Sequence, residues 1–161
     1  MANEENKAVR AQKAYRDLYT HLDAIGLKYT RHDDDKVIAL TMHGDDLPIE
    51  MLLLVKEKQE VISLLSPVRP KVPEDKRIDA AVAVNVANYG IIFGSFDYDL
   101  SDGEIRWRAT LPYADTAITA EQVRYLLFVS AHTIDNYNDK FMMLSKGMIK
   151  LEQFIEAEKA E

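Results

Sequence analysis

The chain of 161 residues contains no cysteine. Disulfides, zinc–thiolate sites and a cysteine nucleophile are thereby excluded, and the composition suits a reducing compartment. No apolar run reaches the roughly 18 residues that a membrane span needs. The opening stretch, Met-Ala-Asn-Glu-Glu-Asn-Lys, has no apolar core of a secretory signal. Together these absences set the expectation of a cytoplasmic protein with no membrane partner. Positive charge is in deficit: 20 Lys and Arg face 27 Asp and Glu, a formal net charge of −7. An acidic surface repels phosphate backbones, so nucleic acid is not an expected partner. There is no internal repeat and no low-complexity segment.

Reaction chemistry is missing as well. His21, His32, His43 and His132 are scattered, and no pair has the i, i+4 spacing of a helical zinc site. Asp97 to Gly103 resembles the start of a calcium loop, but the register fails. The positions that need Gly and Glu hold Asp102 and Arg108. The run Asp33-Asp34-Asp35 reads as a solvated turn. Phosphate-binding glycine loops and the Gly-x-Ser-x-Gly elbow are absent. Ser95 or Ser130 could be combined with a His and an Asp on paper, as in any chain of this length. The expectation is a protein that is not an enzyme, with no catalytic residue, cofactor or metal.

What is present is a hydrophobic fraction of 47%, which places the chain among ordinary globular proteins. Its length argues for one domain over residues 1–161. The organising stretch is Gly90 to Leu111. Ile105, Trp107, Ala109 and Leu111 alternate with Glu104, Arg106, Arg108 and Thr110, the period of a half-buried strand. An apolar arm over 91–100 precedes it, and Asp102-Gly103 supplies the turn. Trp107, the sole tryptophan, is expected beneath a helix.

Upstream, Ala11, Tyr15, Leu18, Leu22 and Ile25 recur at spacings of 4 and 3, predicting a helix over 5–25 that ends at Gly26. Segments 28–32, 36–43, 47–55 and 61–65 then read as an antiparallel meander with short polar turns. The third is apolar on both sides, because Leu52 and Leu54 stand opposite Ile49, Met51, Leu53 and Val55. The favoured reading covers it with a helix on each face; the other covers it with a partner. Three prolines within 67–73 make Ser66 to Pro73 a connector. A helix follows to Tyr89, with Ile78, Val82, Val86 and Tyr89 along one face.

Thr119-Ala-Glu-Gln122 fits a capping box, with Ile118 and Val123 as its hydrophobic staple. Val123, Leu127, Ser130, Ile134, Tyr137, Phe141 and Leu144 continue the rhythm, and Met148, Leu151 and Ile155 resume it beyond Gly147. One continuous helix over these 33 residues would measure about 50 Å. A domain of this size is only about 30 Å across. The overhang needs either a second copy or a fold-back at Gly147, and the homodimer is slightly preferred. Leu52, Leu54, Met142, Met148, Leu151 and Ile155 are the candidate protein-interaction residues, the methionines because they adapt to varied partners.

The overall fold class is α+β: an antiparallel sheet, meander plus C-terminal hairpin, flanked by helices in the order α-β-β-β-β-α-β-β-α. That order, with Asn85 and Asn88, Gly94, Phe96, Asp102-Gly103, Ile105, Arg108, Asp135 and Tyr137, resembles the YbjN-type family of bacterial proteins. The resemblance spans about 18–144 and leaves 145–161 as a C-terminal helical extension. It implies a fold like that of type III secretion and Tir chaperones. The implied role is non-catalytic: a regulatory or chaperone-like protein-binding module, named for sensory transduction regulation. Two alternatives stand beside it: a type III secretion chaperone, and a small-molecule binder with a pocket between sheet and helices.

Overall fold

In the computed structural model, which describes residues 2–159, the elements follow the expected order with one addition. Helix α1 (Ala2–Ile25) leads into strands β1 (Tyr29–His32), β2 (Val37–His43), β3 (Pro48–Lys56) and β4 (Val61–Val68). A short 3-10 turn, Glu74–Lys76, opens onto α2 (Arg77–Gly90). Strands β5 (Ser95–Asp99) and β6 (Glu104–Pro112) form the hairpin. Helix α3 (Ala120–Ser145) follows, and the addition is a separate α4 (Leu151–Lys159). The fold is α+β, with one six-stranded antiparallel sheet ordered β1-β2-β3-β4-β6-β5.

Strand alternation sorts the side chains into two layers. Ile38, Leu53, Leu64 and Ala109 lie in one row across the inner face, each at most 2% exposed. Ser66, Trp107 and Phe96 form a parallel row. Against these pack Ala11, Tyr15, Leu18 and Leu22 of α1, together with Val123, Leu127, Ile134 and Phe141 of α3. Trp107 is fully buried, as its phase predicts. Phe96 meets the rings of Trp107, Tyr137 and Phe141 edge-on. The capping box forms as expected: Thr119 Oγ1 accepts from Gln122 N–H, and Gln122 Oε1 accepts from Thr119 N–H.

One open question is answered and three expectations need correction. First, the last helix is not continuous. The chain turns at Gly147 with φ +69°, and Met148 N–H donates to Met143 C=O at 2.8 Å, closing the end of α3. Helix α4 then folds back onto α2 and α3 and buries Phe154 beside Phe141. The overhang that motivated a dimer through this helix does not arise.

Second, α2 buries the opposite face from the one expected. Ala80, Ala83, Val84 and Ala87 are buried, whereas Ile78 and Tyr89 are 67% and 95% exposed. Small side chains let the helix approach β5 closely, and Asn88 fixes it there. Its amide donates to Phe96 C=O and accepts from Phe96 N–H, at 2.9 and 2.8 Å. Asn85 is exposed.

Third, β4 continues through Ser66-Pro67-Val68 into the expected connector. Pro67 is tolerated because pairing of β3 with β4 stops at Leu52 and Leu65, leaving it a neighbour on one side only. Fourth, β5 starts at Ser95, so Ile91 to Gly94 lie outside the sheet. A Cβ on Gly94 would stand 2.3 Å from the Trp107 ring, and its φ is +79°. Glycine is required where the chain crosses that ring.

Candidate functional site

No helix covers the second face of the sheet. All four helices of the described residues pack on the inner side, so the preferred reading of a helix on each face of β3 is wrong. Across the bare face the register places Ala39, Leu52 and Leu65 side by side, followed by Arg108. A second row runs Val37, Leu54, Ser63 and Thr110. Leu52 is 41% exposed, and Ala39, Leu54 and Leu65 are half-buried. The centre of the face is therefore aliphatic and its flank is charged. On that flank Arg108 holds Asp97 through two hydrogen bonds, 2.8 and 2.9 Å, with Arg106 a longer third partner. The Arg108 hydrogen bonds keep the Asp97 carboxyl below the usual carboxylate range.

The six candidate residues do not form one surface. Leu52 and Leu54 lie on the bare face. Leu151 and Ile155 are half-buried in α4, with Leu151 packed on the core, and Met148 is exposed at the turn before it. Met142 lines a cleft at the end of the sheet.

That cleft, of about 530 Å³, opens where β3 and β4 part and is floored by Ile134, Asn138 and Met142 of α3. Two nearly inaccessible polar residues line it, Ser66 at 0% and Asn138 at 5% exposure. Ser66 Oγ and Asn138 Oδ1 are buried and have no hydrogen-bond partner. The sequence reading passed over both. A signal existed, since Asn138 follows Ile134 by four residues on the buried face of α3.

The other polar groups serve the fold. Asp135 accepts from Asp45 N–H at 3.1 Å, and its carboxylate occupies the space a Cβ on Gly44 would need. Tyr137 donates to Glu158 at 2.6 Å and ties α3 to α4. Asp139 is raised by partial burial first and then by its hydrogen bond to Asp46. Among the described residues, no three His, Asp or Glu side chains converge as metal ligands. The run at 33–35 is a turn in which Asp33 accepts from Tyr15 Oη at 2.8 Å. Burial, reinforced by that bond, pushes the Tyr15 phenol up to about 12.

No curated protein matches the chain. The crystal structure of YbjN, a putative transcription regulator from E. coli, superposes with a TM-score of 0.57 at 15% identity. The match covers 76% of this chain and 90% of that one; at this identity the likeness is one of fold. The ExsC–ExsE complex gives a TM-score of 0.49 at 18% identity, covering 77% of this chain and 92% of the other. The family model for YbjN, described as a putative bacterial sensory transduction regulator, matches residues 16–142. Helix α1 from Arg16 onward, the whole sheet, α2 and nearly all of α3 fall within that match, and so the chain belongs to the YbjN family.

Proposed function

We propose that this protein is a non-catalytic regulatory module that binds protein. In this reading it acts as a single cytoplasmic domain over residues 1–161 and associates as a homodimer through the bare face of its sheet. The observation that carries the reading is the aliphatic row Ala39, Leu52 and Leu65 on a face that no helix covers. A phased apolar patch of this kind is what protein contacts use. The family's description as a regulator supports the non-catalytic part. The contact is moved here from the last helix, because α4 already spends its apolar face on α2 and α3.

Light scattering of the full chain at micromolar concentration tests this reading. The expected result is a particle of twice 18.4 kDa that falls to 18.4 kDa in Leu52→Asp. A wild-type monomer would overturn the homodimer. A dimer that survives Leu52→Asp would move the contact off this face. Since Leu52 is already partly exposed, the variant is expected to fold, and far-ultraviolet circular dichroism checks that it does.

A further inference from the structure

Helix α4 sits between α2 and the end of α3, and its contacts describe the groove beneath it. Tyr137, Lys140 and Phe141 share one face of α3 by their spacing. The rings of Tyr137 and Phe141 stack with centres 5.8 Å apart, and Phe154 of α4 continues the stack, 5.7 Å from Phe141. Four residues beyond Phe154, Glu158 is only 10% exposed in its side chain. It accepts from Tyr137 Oη at 2.6 Å and from Lys140 Nζ at 2.9 Å. Three residues before Phe154, Leu151 packs on the core. The outer side of α4 carries Glu152, Gln153 and Glu156, all exposed. An amphipathic helix laid by its apolar face into a groove is a common way for one protein to recognise another. Here the groove holds such a helix already, supplied by the chain itself. The seated residues read out what the groove selects: an aliphatic side chain, an aromatic ring three positions later and a carboxylate four beyond that.

This occupant is built to be exchanged. Helix α4 lies beyond the family-matched span 16–142, and the sheet with α1, α2 and α3 is in place before it in the chain. It joins α3 only through residues 146–150, which turn at Gly147 with φ +69°. Its nine residues are fewer than the roughly 12–15 that a helix needs to persist alone in water. Helix α4 is therefore helical only while docked, and a single buried side chain, Phe154, anchors it. A partner helix already formed within its own fold does not carry that ordering cost. A second copy of this chain has no such advantage. Its α4 is identical, and it competes from solution against a tethered α4 whose effective concentration is roughly millimolar. The helix that displaces α4 is thus a foreign one that fits the same positions.

We propose that the groove between α2 and α3 is a docking site for an amphipathic helix of a partner protein, and that α4 is its built-in occupant, which the partner displaces. The partner helix repeats the pattern of Leu151, Phe154 and Glu158. Its aromatic ring stacks on Phe141, and its carboxylate takes the Tyr137 hydroxyl and the Lys140 ammonium. Helix α4 sets the threshold, keeping the groove closed to weak or unfolded segments. The groove lies on the helix side of the sheet, and the bare face bearing Leu52 lies on the other.

The test uses the full chain and, as probe, a fluorescein-labelled peptide with the sequence of residues 148–159. A hydrocarbon staple replaces the exposed Glu152 and Glu156, so the peptide is helical before it binds. Fluorescence anisotropy reads affinity, and amide chemical shifts read location. Saturable one-to-one binding to the wild type is expected, with shifts at 137–144 and with the signals of 151–159 moving to those of a disordered chain. In the protein, Phe154→Ala loosens α4 and should tighten peptide binding about tenfold. In the peptide, Phe154→Ala should abolish saturation and Glu158→Gln should weaken binding several-fold. Should the Phe154→Ala protein fail to fold, Glu158→Ala in the protein should still tighten binding of the unaltered peptide. Unchanged affinity in the protein variants, equal binding of the Phe154→Ala peptide, or saturation that leaves 151–159 helical would each overturn the proposal. So would shifts centred on Leu52 and Leu54. A wild-type dimer lost in Phe154→Ala and kept in Leu52→Asp would overturn the foreign partner and name a second copy as the occupant. Leu52→Asp should leave peptide binding unchanged, so this groove and the sheet contact fail independently.

Discussion

The two faces of the sheet share the same strands and are stabilised by different things. Leu53 and Leu52 are neighbours in β3. One is fully buried beneath the helices; the other is 41% exposed on the bare side. The inner face gains its stability within the chain, from side chains withdrawn from water at roughly 25 cal/mol per Å². The outer face keeps its leucines partly wet and gains nothing comparable until something covers them. Aliphatic residues there cost solubility without stabilising the fold, which is why an unpartnered row of them reads as a contact surface.

Substitution should separate the faces by size of effect. Trp107→Ala removes the largest fully buried side chain and its edge-on contact with Phe96, and is expected to cost about 3–5 kcal/mol in urea unfolding. A cost near 1 kcal/mol would mean that the inner face tolerates cavities and is no true core. Leu53→Ala should cost about 2–5 kcal/mol, while Leu52→Ala stays within about 0.5 kcal/mol at monomeric concentration. Equal costs for this neighbouring pair would erase the distinction between the faces.

Helix α4 tests how far the inner layer extends. Phe154, 1% exposed, stacks on Phe141 with ring centres 5.7 Å apart. Glu158 accepts from Tyr137 and from Lys140, at 2.6 and 2.9 Å. Truncation after Lys146 removes all of this. It is expected to lower the melting temperature by several degrees, as a loss of about 2 kcal/mol does in a domain of this size, and to leave any dimer intact. Dissociation of a dimer with unchanged stability would return the contact to the C-terminal segment.

The inner layer was readable in advance because it obeys periodicity. Period-2 alternation in β6 and the 3-4 rhythm of α1 and α3 name the buried residues almost one by one. Helix α2 defeats that reasoning: its large aliphatics Ile78 and Val82 face outward, because what it needs toward β5 is closeness, and alanine supplies it. The cover of the second sheet face was equally illegible. An apolar strand sets the expectation of a cover and does not show whether the chain itself supplies one. Gly147 was seen to be ambiguous, since glycine in a helix costs only about 1 kcal/mol; buried Phe154 is what favours the fold-back. The cleft depends on where pairing between two strands ends, and local sequence does not encode that. Of the residues that carried the family resemblance, Asn88, Gly94, Phe96 and Gly103 prove to hold the hairpin in place. A Cβ on Gly103, for example, would lie 2.2 Å from Val72 C=O. The resemblance was one of architecture, and so it located the fold better than the function.

The smallest difference between the faces is electrostatic. Among the described residues, the inner face carries no counterpart to the pair of Asp97 with Arg108 on the outer one. Asp97 is held ionised by the guanidinium, so its native pKa lies below that of an unfolded aspartate, near 3.9. A depressed native value means that the unfolded chain binds the proton first on acidification. The contribution of the pair is thus complete above about pH 5 and falls away as pH drops through the unfolded and then the native value. Arg108 is nearly half exposed, so water and salt screen the interaction, and its worth is that of a surface pair, about 0–1 kcal/mol. Asp97→Asn should therefore destabilise the protein slightly at neutral pH and less near pH 2, measured by urea unfolding at both. A loss that is undiminished at pH 2 would show that Asp97 acts through packing. An increase well beyond 1 kcal/mol at neutral pH would show that this flank is covered in solution, as it would be if the outer faces of two copies met.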